Sequence, residues 1–289
     1  MTGKTVVVGS AGQLGTELVK EFAARGHWVV GLDRTDLDIT DLERTERCLT
    51  GLDPSVVVNA AAYNQVDLAE HEPHAAFLVN ALGVRNLALA CRQVDARLVH
   101  FSTDYVFDGR ANRPYAEDDP VHPLGAYAVS KLAGELYAKA YLDDPLIIRT
   151  SGVYGPGGLV NNRGNFVELM LRLARKNEPI RLAEDHTGTP TFAPLLAART
   201  ADLVERGASG LFHIGGGTPI TWLEYTRKIF AVAGVAGAEL RPTSEREYRT
   251  AARRPPYAAL SNAKMEAEGL PPMPPVEEAL RMYFAARGA

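Results

Sequence analysis

Two features of many other protein classes, abundant cysteine and long apolar runs, are nearly absent from this sequence of 289 residues. Its cysteines, Cys48 and Cys91, are far apart and lie in predicted helices, so they indicate neither a disulfide framework nor a metal-ligand pair. We expect both thiols to be buried packing groups. No run reaches the roughly 18 apolar residues that span a bilayer, and Met1 leads into a strand without a charged leader segment. These absences predict a cytoplasmic protein with no membrane contact.

An excess of basic charge is also missing. Lys and Arg total 31 against 35 Asp and Glu, which gives a net charge of −4. Because nucleic-acid binding needs a basic surface that neutralises phosphates, we expect no nucleic-acid partner. His71 and His74 lie three residues apart around Pro73, which we expect to begin a helix, and a metal site needs more than two ligands. The sequence therefore predicts no metal.

The first 150 residues alternate short apolar segments with amphipathic ones. Leu14, Leu18 and Phe22 repeat at helical spacing, and Ala75–Val94 carries a second helical pattern. This alternation predicts an α/β fold with a doubly wound parallel sheet of the Rossmann type. The segments dense in Val, Ile and Leu are typical of strands buried on both faces: Thr5–Val8, Trp28–Leu32, Val56–Asn59, Leu98–Ser102 and Leu146–Arg149.

The strict alternation ends after Thr150. A helix is predicted at 166–176, a short strand at 180–182, a further strand at 211–214 and a helix at 222–233, followed by a proline-rich tail over 253–275. We predict a first domain over residues 1–150, which later strands near 190–217 join. A smaller C-terminal α/β lobe over 151–289 would bind the substrate.

A glycine-rich turn, Gly9–Gly15, follows the first predicted strand and opens the first helix. Backbone N–H groups at such a helix start attract an anion, and glycine lets a pyrophosphate approach closely. Asp33 ends the second strand, where a carboxylate accepts hydrogen bonds from an adenosine ribose or, alternatively, caps a turn. Arg34 would pair with a 2′-phosphate, whereas Asp33 would repel one. The sequence therefore predicts NADPH or NADH as cofactor, with affinities within about tenfold of each other.

Tyr127 and Lys131 lie four residues apart in a predicted helix, so their side chains share one face. A nearby ammonium favours a phenolate, which suits proton transfer, although the same spacing also occurs in exposed helix pairs. Thr103 and Asp104 follow the fourth strand, and ligands bind at the carboxyl ends of parallel strands. Thr103 is placed to bind a reacting carbonyl oxygen, and Asp104 to orient substrate hydroxyls; capping of the strand end is the alternative.

Taken together, the motifs resemble the extended short-chain dehydrogenase/reductases, and within them the dTDP-4-dehydrorhamnose reductase family. The resemblance covers nearly the whole chain and is more specific than any one motif. The segments that carry it are Gly12–Gly15, Asp38–Asp41, Asn59–Tyr63, Val66-Asp67, Ala69-Glu70, Ser102–Gly109, Ser130–Glu135, Arg149–Ser151, Asn165-Phe166, Gly188–Thr191 and Ala252–Pro255.

The resemblance implies reduction of the C4 ketone of a nucleotide-linked 4-keto-6-deoxy sugar, specifically dTDP-4-dehydrorhamnose to dTDP-rhamnose. Tyr127 would be the proton donor, with Lys131 beside it and Thr103 as a hydrogen-bond partner. The predicted cofactor-binding residues are Gly9, Gly12, Gln13, Leu14, Gly15, Asp33, Arg34, Asp38, Ile39, Ala60, Ala61, Ala62, Tyr63, Tyr127 and Lys131. The predicted substrate-binding residues are Thr103, Asp104, Val106, Phe107, Gly152, Asn165, Arg253 and Arg254.

Two residues depart from the family pattern. Gly152 stands where members usually carry a Trp that stacks on the sugar, so we expect an apolar wall of the sugar pocket to be missing. His186 stands where Gln is usual. Trp222, Tyr225 and Phe230 follow a helical pattern and are expected to be core residues.

The resemblance leaves two properties open. Methionine adenosyltransferase regulatory subunits resemble the same family, so the alternative function is a non-catalytic dinucleotide-binding regulatory subunit. The reductase-like segments Ser102–Gly109 and Arg149–Ser151 favour the enzyme. We expect a monomer or a homodimer. Some members bridge Mg²⁺ at a dimer contact, where Glu17, Glu184 and Asp185 lie at corresponding positions, but a solvated face is the favoured interpretation.

Overall fold

A parallel sheet of six strands forms the centre of the first lobe, in the order β2-β1-β3-β4-β5-β8. The computed structural model describes residues 3–160, 164–176, 178–247 and 250–287. The strands are β1 (Lys4–Val8), β2 (Trp28–Leu32), β3 (Val56–Asn59), β4 (Arg97–Thr103), β5 (Leu146–Thr150), β6 (Ile180–Ala183), β7 (Thr187–Gly188), β8 (Gly210–His213), β9 (Ile220–Thr221) and β10 (Leu240–Thr243). The helices are α1 (Gln13–Ala24), α2 (Leu42–Leu52), α3 (Val66–His71), α4 (Pro73–Phe77), α5 (Gly83–Gln93), α6 (Ala126–Tyr141), α7 (Gly157–Val160), α8 (Phe166–Ala174), α9 (Ala193–Glu205), α10 (Trp222–Ala233), α11 (Ala263–Ala267) and α12 (Val276–Arg287).

Helices cover both faces of this sheet, which is why its strands are almost uninterrupted runs of Val, Ile and Leu. Val7, Val58 and Ile148 face α1 and α9 in one apolar cluster. Val57 and Ile147 belong to the cluster on the opposite face, where α2, α5 and α6 pack. The prediction of a doubly wound parallel sheet is confirmed.

The direction of strand order reverses at β1. Strand β2 pairs with one side of β1 and β3 pairs with the other, so the loops after β1 and β3 leave the sheet in opposite directions and open a crevice. Ligands of open α/β sheets bind at such a crevice, beyond the carboxyl ends of the strands. The order of the strands therefore places a binding site next to the glycine-rich turn that follows β1.

The second lobe is built around aromatic rings, with little sheet. Strand β6 pairs with β10, and β7 pairs with β9, in two small two-stranded sheets. Helices α8, α10 and α12 enclose a cluster that includes Tyr154, Phe192, Tyr225, Phe230 and Tyr283. The chain returns to the first lobe between these elements, because α9 packs on α1 and β8 pairs with β5.

A long helical segment, Pro73–Gln93, crosses one face of the first lobe. It is continuous from α4 to α5 through a π-helical turn at Leu78–Leu82, which the predicted helix Ala75–Val94 did not include. Within the described residues, this segment alone is long and apolar enough to cross a membrane, and 56% of its apolar window is buried inside the protein. It packs against α2 and α6, as a core helix does.

The two thiols differ in burial. Cys91 is fully buried, as expected, and burial raises its pKa to about 12. The expectation for Cys48 was wrong, because its side chain lies at the edge of the same apolar cluster and is only half-buried.

Candidate active site

The turn after β1 is built so tightly that only glycine fits at two of its positions. Gly9 has φ +78°, and a Cβ there would lie 2.6 Å from the amide nitrogen of Ala61. A Cβ on Gly15 would lie 2.1 Å from the carbonyl oxygen of Gly9. Gly12 is the N-cap residue of α1, and its N–H donates to Gly9 O at 2.9 Å. The helix start and the Ala60-Ala61 loop therefore converge on a turn that carries no side chain at Gly9, Gly12 and Gly15, so a ligand can approach its backbone there.

Gln13 presents an unused acceptor beside this turn. Its Nε2 donates to the carbonyl oxygen of Val153 at 2.6 Å, while its buried Oε1 has no partner among the described residues. Leu14 packs on the sheet core, Ile39 is buried beside α5, and Ala62 is exposed. An orphaned carbonyl oxygen next to an anion-binding helix start fits a ligand that carries both phosphates and an N–H donor, as a nicotinamide dinucleotide does.

The loop after β2 carries two carboxylates that bind their own backbone. Asp33 Oδ1 accepts from the N–H and the hydroxyl of Thr35 at 2.6 and 2.7 Å, and these bonds hold the pKa of Asp33 below its usual value. Asp38 Oδ1 accepts from Thr40 in the same way, at 3.0 and 2.8 Å. The turn-capping role weighed for Asp33 is thus present, but no described residue donates to its second oxygen. Arg34 is exposed beside it.

An asparagine that sequence reasoning missed fixes the loop after β3. Asn80 lies in the π-helical turn, where its Oδ1 accepts from the N–H of Tyr63 at 2.8 Å and its Nδ2 donates to Tyr63 O at 2.9 Å. The same Nδ2 donates to the Ser130 hydroxyl at 3.0 Å, and that hydroxyl donates to the carbonyl oxygen of Tyr127. Asn80 therefore connects the predicted cofactor loop to the helix that carries Tyr127. A buried amide on an apolar helix face was the signal in the sequence.

Helix α6 places Tyr127 and Lys131 on one face, as predicted from their spacing. Lys131 is 3% exposed, and its Nζ donates to the carbonyl oxygen of Phe101 at 2.5 Å. Burial lowers the pKa of Lys131 to about 8, although the carboxylate of Glu135 one turn further along the helix opposes that shift. The ammonium is therefore still the main form of Lys131 at neutral pH.

The phenol of Tyr127 is stabilised in its protonated form. Burial raises the pKa of Tyr127 above its usual value, and the nearby Asp104 carboxylate raises it further, while a hydrogen bond with Thr103 acts in the opposite direction. We expected Lys131 to favour the phenolate, but its ammonium is directed to the carbonyl of Phe101. At neutral pH the site therefore holds a phenol that is ready to donate a proton.

Thr103 connects this phenol to a buried carboxylate. The Thr103 hydroxyl donates to Asp104 Oδ1 at 3.0 Å and accepts from the N–H of Tyr105 at 3.2 Å, so the strand-end capping role is also present. The hydroxyl of Ser151 donates to Asp104 Oδ2 at 2.6 Å. Burial raises the pKa of Asp104 to about 6 despite these two hydroxyl bonds. Asp104 is therefore mostly ionised at neutral pH and accepts hydrogen bonds from hydroxyl groups.

A narrow pocket begins at Asp104 and runs between the lobes. Tyr105 from the first lobe and His186, Trp222 and Arg254 from the rest of the chain line it. The ring of Tyr105 meets that of Tyr127 edge-on, with centroids 6.2 Å apart. The pocket therefore begins close to Tyr127, and residues of the second lobe line its other side.

The two arginines of the proline-rich tail differ in what they contact. Arg254 binds the carboxylate of Asp67 with two nitrogens, at 3.1 and 2.7 Å, and so ties the tail to α3. Arg253 is exposed and makes no side-chain hydrogen bond within the described part of the chain. Of these two predicted substrate residues, Arg254 has its charge balanced by a carboxylate and Arg253 does not.

The structure does not bring the other predicted substrate residues together at this pocket. Val106 and Phe107 are fully buried, and the Phe107 ring stacks on Tyr115 with centroids 4.0 Å apart, so their side chains face the core. Asn165 is the N-cap of α8 and donates its amide hydrogens to Gly155 O and the Tyr283 hydroxyl. Gly152 is exposed, with a backbone φ of +49°.

A buried row of polar groups lies beneath α6 and was not singled out from the sequence. Glu135 and Arg149 form two hydrogen bonds, at 2.9 and 2.8 Å, with at most 4% of either side chain exposed. The Nδ2 of Asn59 donates to Nδ1 of His100 at 3.2 Å, and burial beside the Lys131 ammonium lowers the pKa of His100 well below its usual value. The row therefore contains a neutral imidazole, an ion pair and the lysine predicted to be catalytic.

No group of three or more potential metal ligands occurs among the residues that the structure describes. Glu17 is buried and pairs with Lys20 at 3.3 Å, so the solvated face expected for it is wrong. Glu184 and Asp185 are exposed, and Asp185 accepts from the backbone of Glu245.

Comparisons with known proteins agree with this geometry. A sequence model described as the RmlD substrate binding domain matches residues 3–287. The chain is 38% identical to a dTDP-4-dehydrorhamnose reductase of Streptomyces griseus, over 97% of this chain and 93% of that one. It is 38% identical to a dTDP-4-keto-6-deoxy-D-glucose reductase of Streptomyces niveus, over 98% and 97%. A crystal structure of dTDP-4-dehydrorhamnose reductase from Bacillus anthracis in complex with NADP superposes with a TM-score of 0.93, at 33% identity and 99% coverage of both chains. By sequence and by fold, the chain belongs to the RmlD substrate binding domain family, the dTDP-4-dehydrorhamnose reductase family that its motifs resemble.

Proposed function

We propose that this protein uses NADPH or NADH to reduce the C4 ketone of a nucleotide-linked 4-keto-6-deoxy sugar, with dTDP-4-dehydrorhamnose as substrate and dTDP-rhamnose as product. The observation that carries the proposal is the contact between the Thr103 and Tyr127 hydroxyls, one helical turn from the buried Lys131. Relatives that share 38% of its residues are reductases of dTDP-linked 4-keto sugars. This favours the reductase over the regulatory subunit that the motifs alone left open.

The protein's own groups provide the acid half of the reaction. Tyr127 donates a hydrogen bond to the ketone oxygen, and the Thr103 hydroxyl turns from Asp104 Oδ1 to donate a second one when the sugar binds. Both bonds stabilise the negative charge that develops on that oxygen. Tyr127 transfers its phenolic proton to that oxygen, and its raised pKa keeps the proton in place until an alkoxide, a still stronger base, forms. A reduced nicotinamide dinucleotide held at its phosphates by the glycine turn would supply the hydride to C4, which balances the conversion of the ketone to a secondary alcohol.

Charged groups around Tyr127 have separate roles. The Lys131 ammonium donates one hydrogen to Phe101 O, and its remaining hydrogens are available for a ribose hydroxyl of the cofactor. The Asp104 carboxylate accepts hydrogen bonds from sugar hydroxyls. Arg253 is the guanidinium available for the nucleotide diphosphate, because Arg254 is already paired with Asp67. We expect Asn165 to affect substrate binding indirectly, because it caps α8 and so fixes where that helix begins.

Cofactor choice is set by the loop after β2. The second oxygen of Asp33 suits a ribose 2′-hydroxyl, while the exposed Arg34 suits a 2′-phosphate. Because each residue favours a different cofactor, we expect NADH and NADPH to bind within about tenfold of each other. A preference above a hundredfold in titrations of the free protein would contradict this expectation.

Substitution of the proton donor tests the function. Tyr127→Phe removes only the acid, so we expect kcat with dTDP-4-dehydrorhamnose to fall by roughly 10²–10⁴ while NADPH binding is kept. Tyr137→Phe is the matched control, because Tyr137 lies on the same helix, away from the pocket residues. Unchanged turnover in Tyr127→Phe would overturn the mechanism. If the wild-type protein oxidises NADPH in the presence of none of the nucleotide keto-sugars tested, the proposed function itself is overturned.

A further inference from the structure

The backbone at Gly152 leaves little room for a side chain. Its φ of +49° lies in the left-handed region that favours glycine. A Cβ at this position would lie 3.3 Å from Cη2 of Trp222 and 3.4 Å from Cα of Pro190. The sequence predicted an open gap here, where the family usually places an aromatic residue. The structure corrects that expectation, because the indole of Trp222 lies against Gly152.

Trp222 is held in place by the aromatic cluster of the second lobe. It is the first residue of α10, which Thr221 caps by accepting the N–H of Glu224 at 3.2 Å. Its ring packs against Phe166 and Tyr225 of the second lobe, at centroid distances of 4.6 and 6.1 Å. The indole remains half-buried. One edge is therefore fixed by the aromatic cluster, and another part of the ring is left to a ligand.

The free part of the indole faces polar groups that suit a sugar. Trp222 lines the pocket that begins at Asp104, together with the imidazole of His186 and the guanidinium of Arg254. Sugar sites combine an aromatic surface for the C–H face of the ring with hydrogen-bonding groups for its hydroxyls. A 6-deoxy sugar adds a methyl group to its apolar face, which an indole covers better than a small or polar side chain does.

We infer that Trp222 is the aromatic wall of the sugar site and sets the affinity for the 6-deoxy sugar ring, in place of a side chain at position 152. This inference rests on the proposed function and names a specificity-determining residue for it. The second lobe then contributes the surface that recognises the sugar, while the first lobe contributes the groups that react with it. Phe166 and Tyr225 act as positioning residues because they hold the indole at Gly152.

The fluorescence of the protein isolates this residue. The chain has two tryptophans, and the other, Trp28, is 68% exposed at the start of β2, away from the carboxyl ends of the strands. In Trp28→Phe, all indole emission comes from Trp222. We expect dTDP-rhamnose to change this emission, and dTDP alone, which lacks the sugar, to leave it unchanged. Equal responses to the two ligands, or no response to either, would overturn the inference.

Kinetics of Trp222 variants provide the second measurement. We expect Trp222→Leu to raise KM for dTDP-4-dehydrorhamnose at least tenfold, with the inhibition constant of dTDP and the Kd of NADPH unchanged. Trp222→Phe keeps an aromatic surface and should recover part of the loss. An unchanged KM in the Leu variant overturns the inference, as does an equal rise in the dTDP inhibition constant, which would indicate a general disturbance of the second lobe.

The two proposals fail in different ways. If Trp28→Phe and the wild-type protein reduce no keto-sugar, the proposed function fails, whatever the fluorescence shows. If both reduce dTDP-4-dehydrorhamnose and Trp222 does not respond to the sugar, only the role of Trp222 fails. Should Trp222→Leu not fold, the emission of Trp28→Phe still decides the question, because that variant keeps the second lobe intact.

Discussion

The two lobes bury their polar groups in opposite ways. Beneath α6 the first lobe encloses a lysine, an ion pair and a neutral histidine: Lys131, Glu135, Arg149 and His100. The core of the second lobe instead consists of apolar side chains and tyrosine rings. Buried charge is destabilising unless it is paired, whereas apolar burial stabilises. The comparison indicates that the first lobe tolerates an unfavourable interior around Tyr127, the proton donor that we propose, while the second lobe has an apolar interior with no such charges among its cluster residues.

Removal of one charge from the first-lobe pair should have the largest effect on stability. Glu135→Gln leaves the Arg149 guanidinium buried without a counterion, so we expect the free energy of unfolding to fall by about 3–5 kcal/mol in urea titrations. The double variant Glu135→Leu/Arg149→Met removes both charges and should recover much of the loss. A loss below about 1 kcal/mol in the single variant would show that the pair is not isolated from solvent.

Substitution at the junction of the lobes should have an intermediate effect. Gly152→Ala places a Cβ in left-handed backbone and against the Trp222 ring, so we expect a loss of about 1–2 kcal/mol in the free energy of unfolding. Gly207→Ala is the control, because Gly207 has φ +71° but nothing within 4 Å of its Cβ position. Equal losses in the two variants would mean that the Trp222 contact adds nothing to the backbone strain.

The charges of the first lobe also predict how activity depends on pH. Asp104, with a pKa of about 6, must be ionised, so kcat/KM for the sugar nucleotide should fall tenfold per unit below pH 6. Lys131, with a pKa of about 8, must be protonated, so kcat/KM for NADPH should fall tenfold per unit above pH 8. Each tenfold fall corresponds to about 1.4 kcal/mol. If the fall in kcat/KM below pH 6 persists in Asp104→Asn, a group other than Asp104 causes it.

A small deletion in the second lobe should have the smallest effect. Ile229 is fully buried on α10, and Ile229→Val removes one methylene group, which costs about 0.5–1.5 kcal/mol in unfolding free energy. No charge is left unpaired, so KM and the pH profile should stay at wild-type values. If Ile229→Val lowered kcat as strongly as Glu135→Gln does, the interior of the second lobe would affect the reaction as much as the buried charges of the first lobe do.

Local patterns were enough to predict five strands of the first lobe and the helix of Tyr127. Runs of Val, Ile and Leu gave β1 to β5 to within one residue at each end, and helical spacing placed Tyr127 and Lys131 on one face. Such features depend on neighbours in the chain. The bounds of α10, Trp222–Ala233, were also predicted correctly from its helical spacing.

Contacts between distant segments could not be predicted in this way. The pairing of Arg254 with Asp67 depends on how the tail folds back on α3, and the burial of Phe107 depends on Tyr115. The position of Trp222 against Gly152 follows only from the packing of the second lobe on the first. The role of Asn80 depends on a π-helical turn, which the predicted uninterrupted helix did not contain.

The pairing of β8 with β5 has a consequence for how the chain folds. Leu146 of β5 pairs with Gly210 of β8. The segment between the two strands contains α7, α8, β6, β7 and α9. During synthesis, β5 is therefore an open sheet edge until that segment has been made, and unpaired edges promote aggregation. A truncation after residue 150 would make this exposure permanent and would also remove α9 from its contact with α1. The first lobe should thus depend on the second lobe for its solubility, and a nascent chain that stalls between β5 and β8 should require a chaperone.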